Sequence, residues 1–102
     1  MVSAPAMEIS VSLFGALGAM ARARTVSLHL SHGARLGDVL TALAERIGPK
    51  FLPAILRETG ELKTHMRIYL NDEQVRDLDM ELSSAEPAAR IHMILMHAGQ
   101  GG

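Results

Sequence analysis

The chain reads as an α+β domain, a mixed sheet of four to five strands with one main helix packed on one face. Three observations predict this. The first third alternates polar and apolar residues with period two; a single 3.6-period amphipathic segment follows; and a nearly unbroken apolar run stands close to the end. The 102 residues, 48% of them hydrophobic, suit one compact domain that buries roughly two-thirds of the surface its unfolded form exposes. The expected division is a flexible leader over 1–6, a folded domain over 7–96, and a flexible tail over 97–102.

The elements follow in order. Ile9, Val11 and Leu13 alternate with Glu8, Ser10 and Ser12, the pattern of a strand with one face on a core, and Phe14 falls on the polar side. Gly15 and Gly18 mark a short connection. Val26, Leu28 and Leu30 alternate with Ser27 and His29 as a second strand, so the two are expected to form a hairpin. After the turn at Ser31-His32-Gly33, Leu36, Val39, Leu40, Leu43 and Ile47 recur at helical spacing, and Gly48-Pro49 ends the helix. Its start is weaker, because Arg35 stands where a Ser, Thr or Asp cap is preferred and only Asp38 brings negative charge to the first turn.

Phe51, Leu52, Ile55 and Leu56 suit one or two irregular turns closing the core edge. Met66 to Leu70 reads as a third strand ending in Asn71-Asp72, whose side chains bond nearby backbone and tolerate left-handed angles. Val75 and Leu78 suggest a short extended return, and 81–89 a loop. Ile91 to Met96 is apolar on both faces apart from His92, as a central strand tends to be. This order of elements fits a ubiquitin-like β-grasp, with the last strand parallel to the first. The tail then leaves from the middle of the sheet, its six residues reaching ~20 Å.

Composition excludes several functions. Ten basic against eleven acidic residues, with no charge run, argue against nucleic acid, and one Tyr, two Phe and no Trp leave no base-stacking platform. Without cysteine there are no disulfides, thiolate metal sites or thiol catalysis, and a reducing compartment, the cytoplasm, is expected. His29, His32, His65, His92 and His97 share no ligand-like spacing, so no metal is expected. The apolar stretch from Ile9 to Met20 has no preceding Lys or Arg, which argues against a signal peptide, and no stretch is long enough to span a membrane.

The terminal sequence His97-Ala98-Gly99-Gln100-Gly101-Gly102 is the main functional clue. Two glycines have so little bulk that they can thread a narrow channel and present the final carboxylate to a nucleotide phosphate held by another protein. The alternating hairpin, Leu36-Gly37-Asp38-Val39-Leu40, the segment from Ile68 through Tyr69 to Arg76 and the terminal Gly101-Gly102 together resemble the prokaryotic ubiquitin-like sulfur carriers. That family includes the small subunit of molybdopterin synthase and the thiamin-pathway carrier. The likeness is nearest to carriers serving cysteine or thio-metabolite biosynthesis.

The resemblance implies a protein co-substrate rather than an enzyme. An E1-like enzyme adenylates the Gly102 carboxylate, with Gly101 as its slim neighbour; sulfur then replaces AMP to give a thiocarboxylate, and a sulfur-accepting synthase receives the sulfur. The carrier binds no cofactor itself, ATP and a sulfur donor being used by the activating enzyme, and is expected to be a monomer when free. Gly102 is expected to need no proteolytic exposure. His97, Ala98, Gly99 and Gln100 stand where many members carry a hydrophobic or Pro-containing segment, and they are read as contacts in the partner's channel.

If Ile91, Met93 and Leu95 face the helix, then His92, Ile94 and Met96 fall on the opposite face, with Phe14 and Tyr69 alongside, as a docking patch for the partner. The competing reading is that residues 51–63 fold over that face as a second small core. Two alternatives in function stay open: the small subunit of molybdopterin synthase, and a β-grasp interaction module with a passive tail. Isopeptide transfer to lysines in the manner of eukaryotic ubiquitin is a third.

Overall fold

In the computed structural model, which describes residues 6–31, 33–82 and 88–96, the two alternating segments form β1 (Ala6–Phe14) and β2 (Thr25–Ser31), antiparallel, with Val11 opposite Val26. The connection between them is α1 (Ala16–Ala21), a short helix where the glycines suggest only a turn. Alanine, leucine and methionine there are strong helix formers, and fully buried Leu17 fastens the turn to the core, which outweighs the propensity lost at Gly18. The helix ends at Arg22, whose left-handed φ of 58° turns the chain back into β2.

The amphipathic segment is α2 (Leu36–Ile47), with the boundaries its periodicity predicts. Its weak N-terminus is resolved by tertiary contacts. Leu36 N–H donates to the Met80 carbonyl at 3.0 Å and Gly37 N–H to the Leu78 carbonyl at 2.9 Å, while Asp38 Oδ2 accepts from Arg35 N–H at 2.8 Å. Leu78 therefore belongs to a turn that caps α2, not to an extended return. The segment 51–56 contains α3 (Phe51–Ile55).

The strands β3 (Met66–Leu70) and β4 (Glu73–Val75) form a hairpin through Asn71 and Asp72, whose φ values of 49° and 75° are the two left-handed positions of a type I′ turn. The final strand, β5 (Ala88–Leu95), starts earlier than its apolar run suggests, because Ala88 and Ala89 pair with Glu8 and Ile9. Sheet order is β2-β1-β5-β3-β4, with β5 parallel to β1 and antiparallel to β3.

One face of this sheet carries the core. Met7, Ile9, Val11, Leu13, Val26, Leu28, Met66, Ile68, Ala89, Ile91 and Met93 are buried, together with Leu36, Val39, Leu40 and Leu43 of α2. Phe51 and Ile55 of α3 and the nearby Leu62 join the same cluster. Residues 51–63 thus add to the helix-side core and do not form a second core over the opposite face.

Candidate functional site

The register of the strands fixes what lies on the open face. His92 pairs with Ser12 on one side and Tyr69 on the other, so Thr25, Ser12, His92, Tyr69 and Gln74 form one row across all five strands. The next row is Phe14, Ile94 and Arg67. Side chains two apart on a strand share a face, so these rows stack into a single surface.

Four of the residues assigned to a docking patch, Phe14, Tyr69, His92 and Ile94, are therefore neighbours. The Phe14 and His92 rings meet edge to face with centroids 5.7 Å apart. Tyr69, His92 and Ile94 are half-buried, whereas Phe14 is 46% exposed and Met96 50% exposed, the two large apolar side chains most open to solvent among the described residues. Met96, just past β5, is anchored by its N–H to the His65 carbonyl at 2.9 Å. Helix-facing Leu95 is only half-buried, since it lies at the rim of the core.

Cationic groups flank the apolar centre. Arg67 lies beside Ile94, its guanidinium held by the Thr64 carbonyl at 2.7 Å, and Arg90 lies in the row beyond His92, 3.8 Å from the Asp72 carboxylate. Arg67 stands two residues from Tyr69, a spacing that in a strand places both on one face. Across the face, β2 contributes only polar groups, Thr25, Ser27, His29 and Ser31, all exposed.

Because β5 runs parallel to β1, the chain leaves the sheet at the end marked by Phe14, α1 and the α1–β2 turn. His97, Ala98, Gly99, Gln100, Gly101 and Gly102, expected to carry the chemistry and line the partner's channel, lie outside the described residues. Among the described residues no group of three or more His, Asp or Glu is placed to hold a metal ion, and no helix is long and apolar enough to cross a membrane.

No protein-family model and no curated protein matches the chain. Solved structures do. The crystal structure of small archaeal modifier protein 1 from Haloferax volcanii superposes with a TM-score of 0.75 at 24% identity, covering 90% of this chain and 98% of that one. A Pyrococcus furiosus protein assigned as molybdopterin converting factor subunit 1 gives 0.70 at 19% identity, covering 89% and 99%. The ubiquitin of Caldiarchaeum subterraneum gives 0.55 at 14% identity, covering 92% and 98%. Matches of nearly full length in both chains show that the fold is the ubiquitin-like β-grasp.

Proposed function

We propose that this chain is a ubiquitin-like sulfur carrier whose Gly102 carboxylate is the reacting group. The observation that carries the reading is the coincidence of two features at one end of the sheet. The central strand β5 leads toward the diglycine there, and a partly exposed apolar surface of Phe14, Ile94 and Met96 lies beside it. A carrier needs both, a surface for the activating enzyme to grip and a slim segment that enters its nucleotide site. The names of the β-grasp proteins it superposes on, a small archaeal modifier protein and a molybdopterin converting factor subunit, support the same reading.

The chemistry follows from the weakness of a carboxylate as an acyl donor. An E1-like enzyme joins a Gly102 carboxylate oxygen to the α-phosphorus of ATP and releases pyrophosphate. Hydrosulfide, supplied by the sulfur donor, then attacks the acyl carbon, and the C–O bond to phosphate breaks to expel AMP, leaving a thiocarboxylate. The carrier acts as co-substrate, supplying the carboxylate and the docking surface, while a sulfur-accepting synthase takes the product. In a cysteine-free chain the C-terminal carboxylate is a natural place to hold sulfur covalently. Intact-mass measurement after incubation with an E1-like enzyme, ATP and a sulfur donor should show a gain of about 16 Da on the C-terminal peptide. An unchanged mass under conditions that load an authentic carrier would refute the proposal.

A second reading is favoured by the molybdopterin converting factor likeness: the chain is the small subunit of molybdopterin synthase. It predicts a stable complex with a large synthase subunit, which co-purification separates from a free carrier.

A further inference from the structure

Beside α1, where it meets the ends of β1 and β2, lies a cleft of about 850 Å³. Ser12 and Phe14 line it from β1 and Thr25 from β2, Gly18 lies on its α1 side, and Arg22 and Arg24 complete it. Its lining includes two arginines and two hydroxyl-bearing residues and, among the described residues, no Asp or Glu. The imbalance is local, because the chain as a whole carries a net charge of only −1.

The two arginines differ from the rest. Arg35, Arg46, Arg57, Arg67 and Arg76 each donate to a protein oxygen, and Arg90 faces a carboxylate. Arg22 and Arg24 are exposed, and among the described residues neither side chain has a hydrogen-bond or ion-pair partner. Their backbones are nevertheless fixed. Arg22 N–H donates to the Ala19 carbonyl at 3.3 Å, and the Arg24 carbonyl accepts from Leu13 N–H at 2.7 Å. The points from which the two side chains extend are thus fixed, and their donors have no partner among the described residues.

Ser12, Phe14 and Thr25 belong to both the cleft and the open sheet face, so the two surfaces are continuous. We propose that the cleft receives an acidic loop of the protein that docks on this face. An apolar side chain of that loop lies over Phe14 and Ile94, and one or two adjacent carboxylates enter the cleft to pair with Arg22 and Arg24. The hydroxyls of Ser12 and Thr25 donate to the remaining carboxylate oxygens. The inference rests on the docking reading above and adds the chemistry by which the partner is selected. Desolvated apolar contact supplies adhesion; the paired charges reject partners with a neutral or basic loop.

The test is a titration of the isotopically labelled full chain, followed by amide chemical shifts, with the blocked peptide Glu-Asp-Leu-Phe-Asp-Glu and its counterpart Gln-Asn-Leu-Phe-Asn-Gln. The acidic peptide should shift Ser12, Phe14, Gly15, Gly18 and Thr25 and bind about fivefold more tightly than the amide one, a margin that shrinks between about 50 and about 300 mM salt. The double variant Arg22→Gln/Arg24→Gln should lose that margin, its unchanged shift dispersion showing that it folds. Equal binding of the two peptides, shifts centred elsewhere, or an unaffected double variant would overturn the proposal. So would inorganic phosphate producing the same shifts at the same concentration, since the cleft would then be a small-anion site. No activating enzyme or sulfur donor is present, so this result and the mass measurement above can fail independently.

Discussion

Gly18→Ala tests whether α1 is seated on the sheet as closely as its packing shows. Helix propensity alone predicts a gain, since alanine is favoured over glycine within a helix by about 1 kcal/mol. The structure predicts the opposite sign. A β-carbon at Gly18 would lie 2.9 Å from the Leu13 carbonyl oxygen and 3.6 Å from the Ala23 carbonyl oxygen. The first distance is inside van der Waals contact, and the offending atom is backbone in a strand held on both sides by β2 and β5. Nothing there can rotate away, so α1 must lift, loosening Leu17 from the core. Overpacking of this kind costs about 2–3 kcal/mol, which leaves a net loss of about 1–2 kcal/mol after the propensity gain. For a domain of this size, that lowers Tm by roughly 4–15 °C. Thermal and urea unfolding measure it. Exposed Ala19→Gly is the control, expected to lose up to about 1 kcal/mol through propensity alone. A Gly18→Ala protein more stable than the parent would refute the close seating of α1, and with it the shape of the Arg22–Arg24 cleft.

Other perturbations separate folding from function. Arg76→Ala removes a guanidinium that donates to the carbonyls of Met66 at 2.8 Å, Lys63 at 3.0 Å and Leu62 at 3.3 Å, and should cost about 1–2 kcal/mol in urea unfolding, with Arg76→Lys recovering part. Asp72→Gly relieves a left-handed φ of 75° and gives up only a solvent-exposed pair with Arg90, so stability should hold or rise by about 0.5 kcal/mol. The triple change Phe14→Ser, Ile94→Thr and Met96→Thr should move stability by no more than about 1–2 kcal/mol, because Phe14 and Met96 are about half exposed and Ile94 is only half-buried. It should raise at least tenfold the carrier concentration needed for half-maximal thiocarboxylate formation. Removing Gly101 and Gly102 should leave the fold intact and abolish the gain in mass; sulfur loading of the shortened chain would disprove the assigned position.

Where a residue's role is set by its own periodicity, the sequence was legible. The α2 boundaries, the third strand and the left-handed pair Asn71-Asp72 follow from spacing and turn chemistry, and the alternation of β1 correctly puts Phe14 on the face away from α2. What could not be read depends on contacts between distant segments. The start of α2 looks uncapped because its caps are carbonyls from residues 78 and 80, some forty positions away. α1 hides behind two glycines because Leu17, not local propensity alone, holds it in place. Ala88 and Ala89 read as loop until Glu8 and Ile9 supply a parallel partner. The cleft was invisible for the same reason, since Arg22 and Arg24 acquire a shared environment with Ser12 only when α1 folds back.

The open face itself argues that Phe14, Ile94 and Met96 serve something other than the sheet. Strand formation does not require them: on the same face β2 presents Thr25, Ser27, His29 and Ser31, all polar, and pairs along its full length. Nor does packing, because α2, α3 and Leu62 occupy the opposite face. The parallel β1–β5 pairing decides where this surplus apolar area lies. Had β5 run antiparallel to β1, its C-terminal end would stand beside Met7, far from Phe14 and from the arginines that follow α1. In the observed topology these partly exposed side chains, the two arginines without a side-chain partner among the described residues, and the departure point of the chain share one end. On the function proposed above, a protein that grips this surface meets the chain where it leaves β5, so recognition of the fold and capture of the chain's end would be a single docking event.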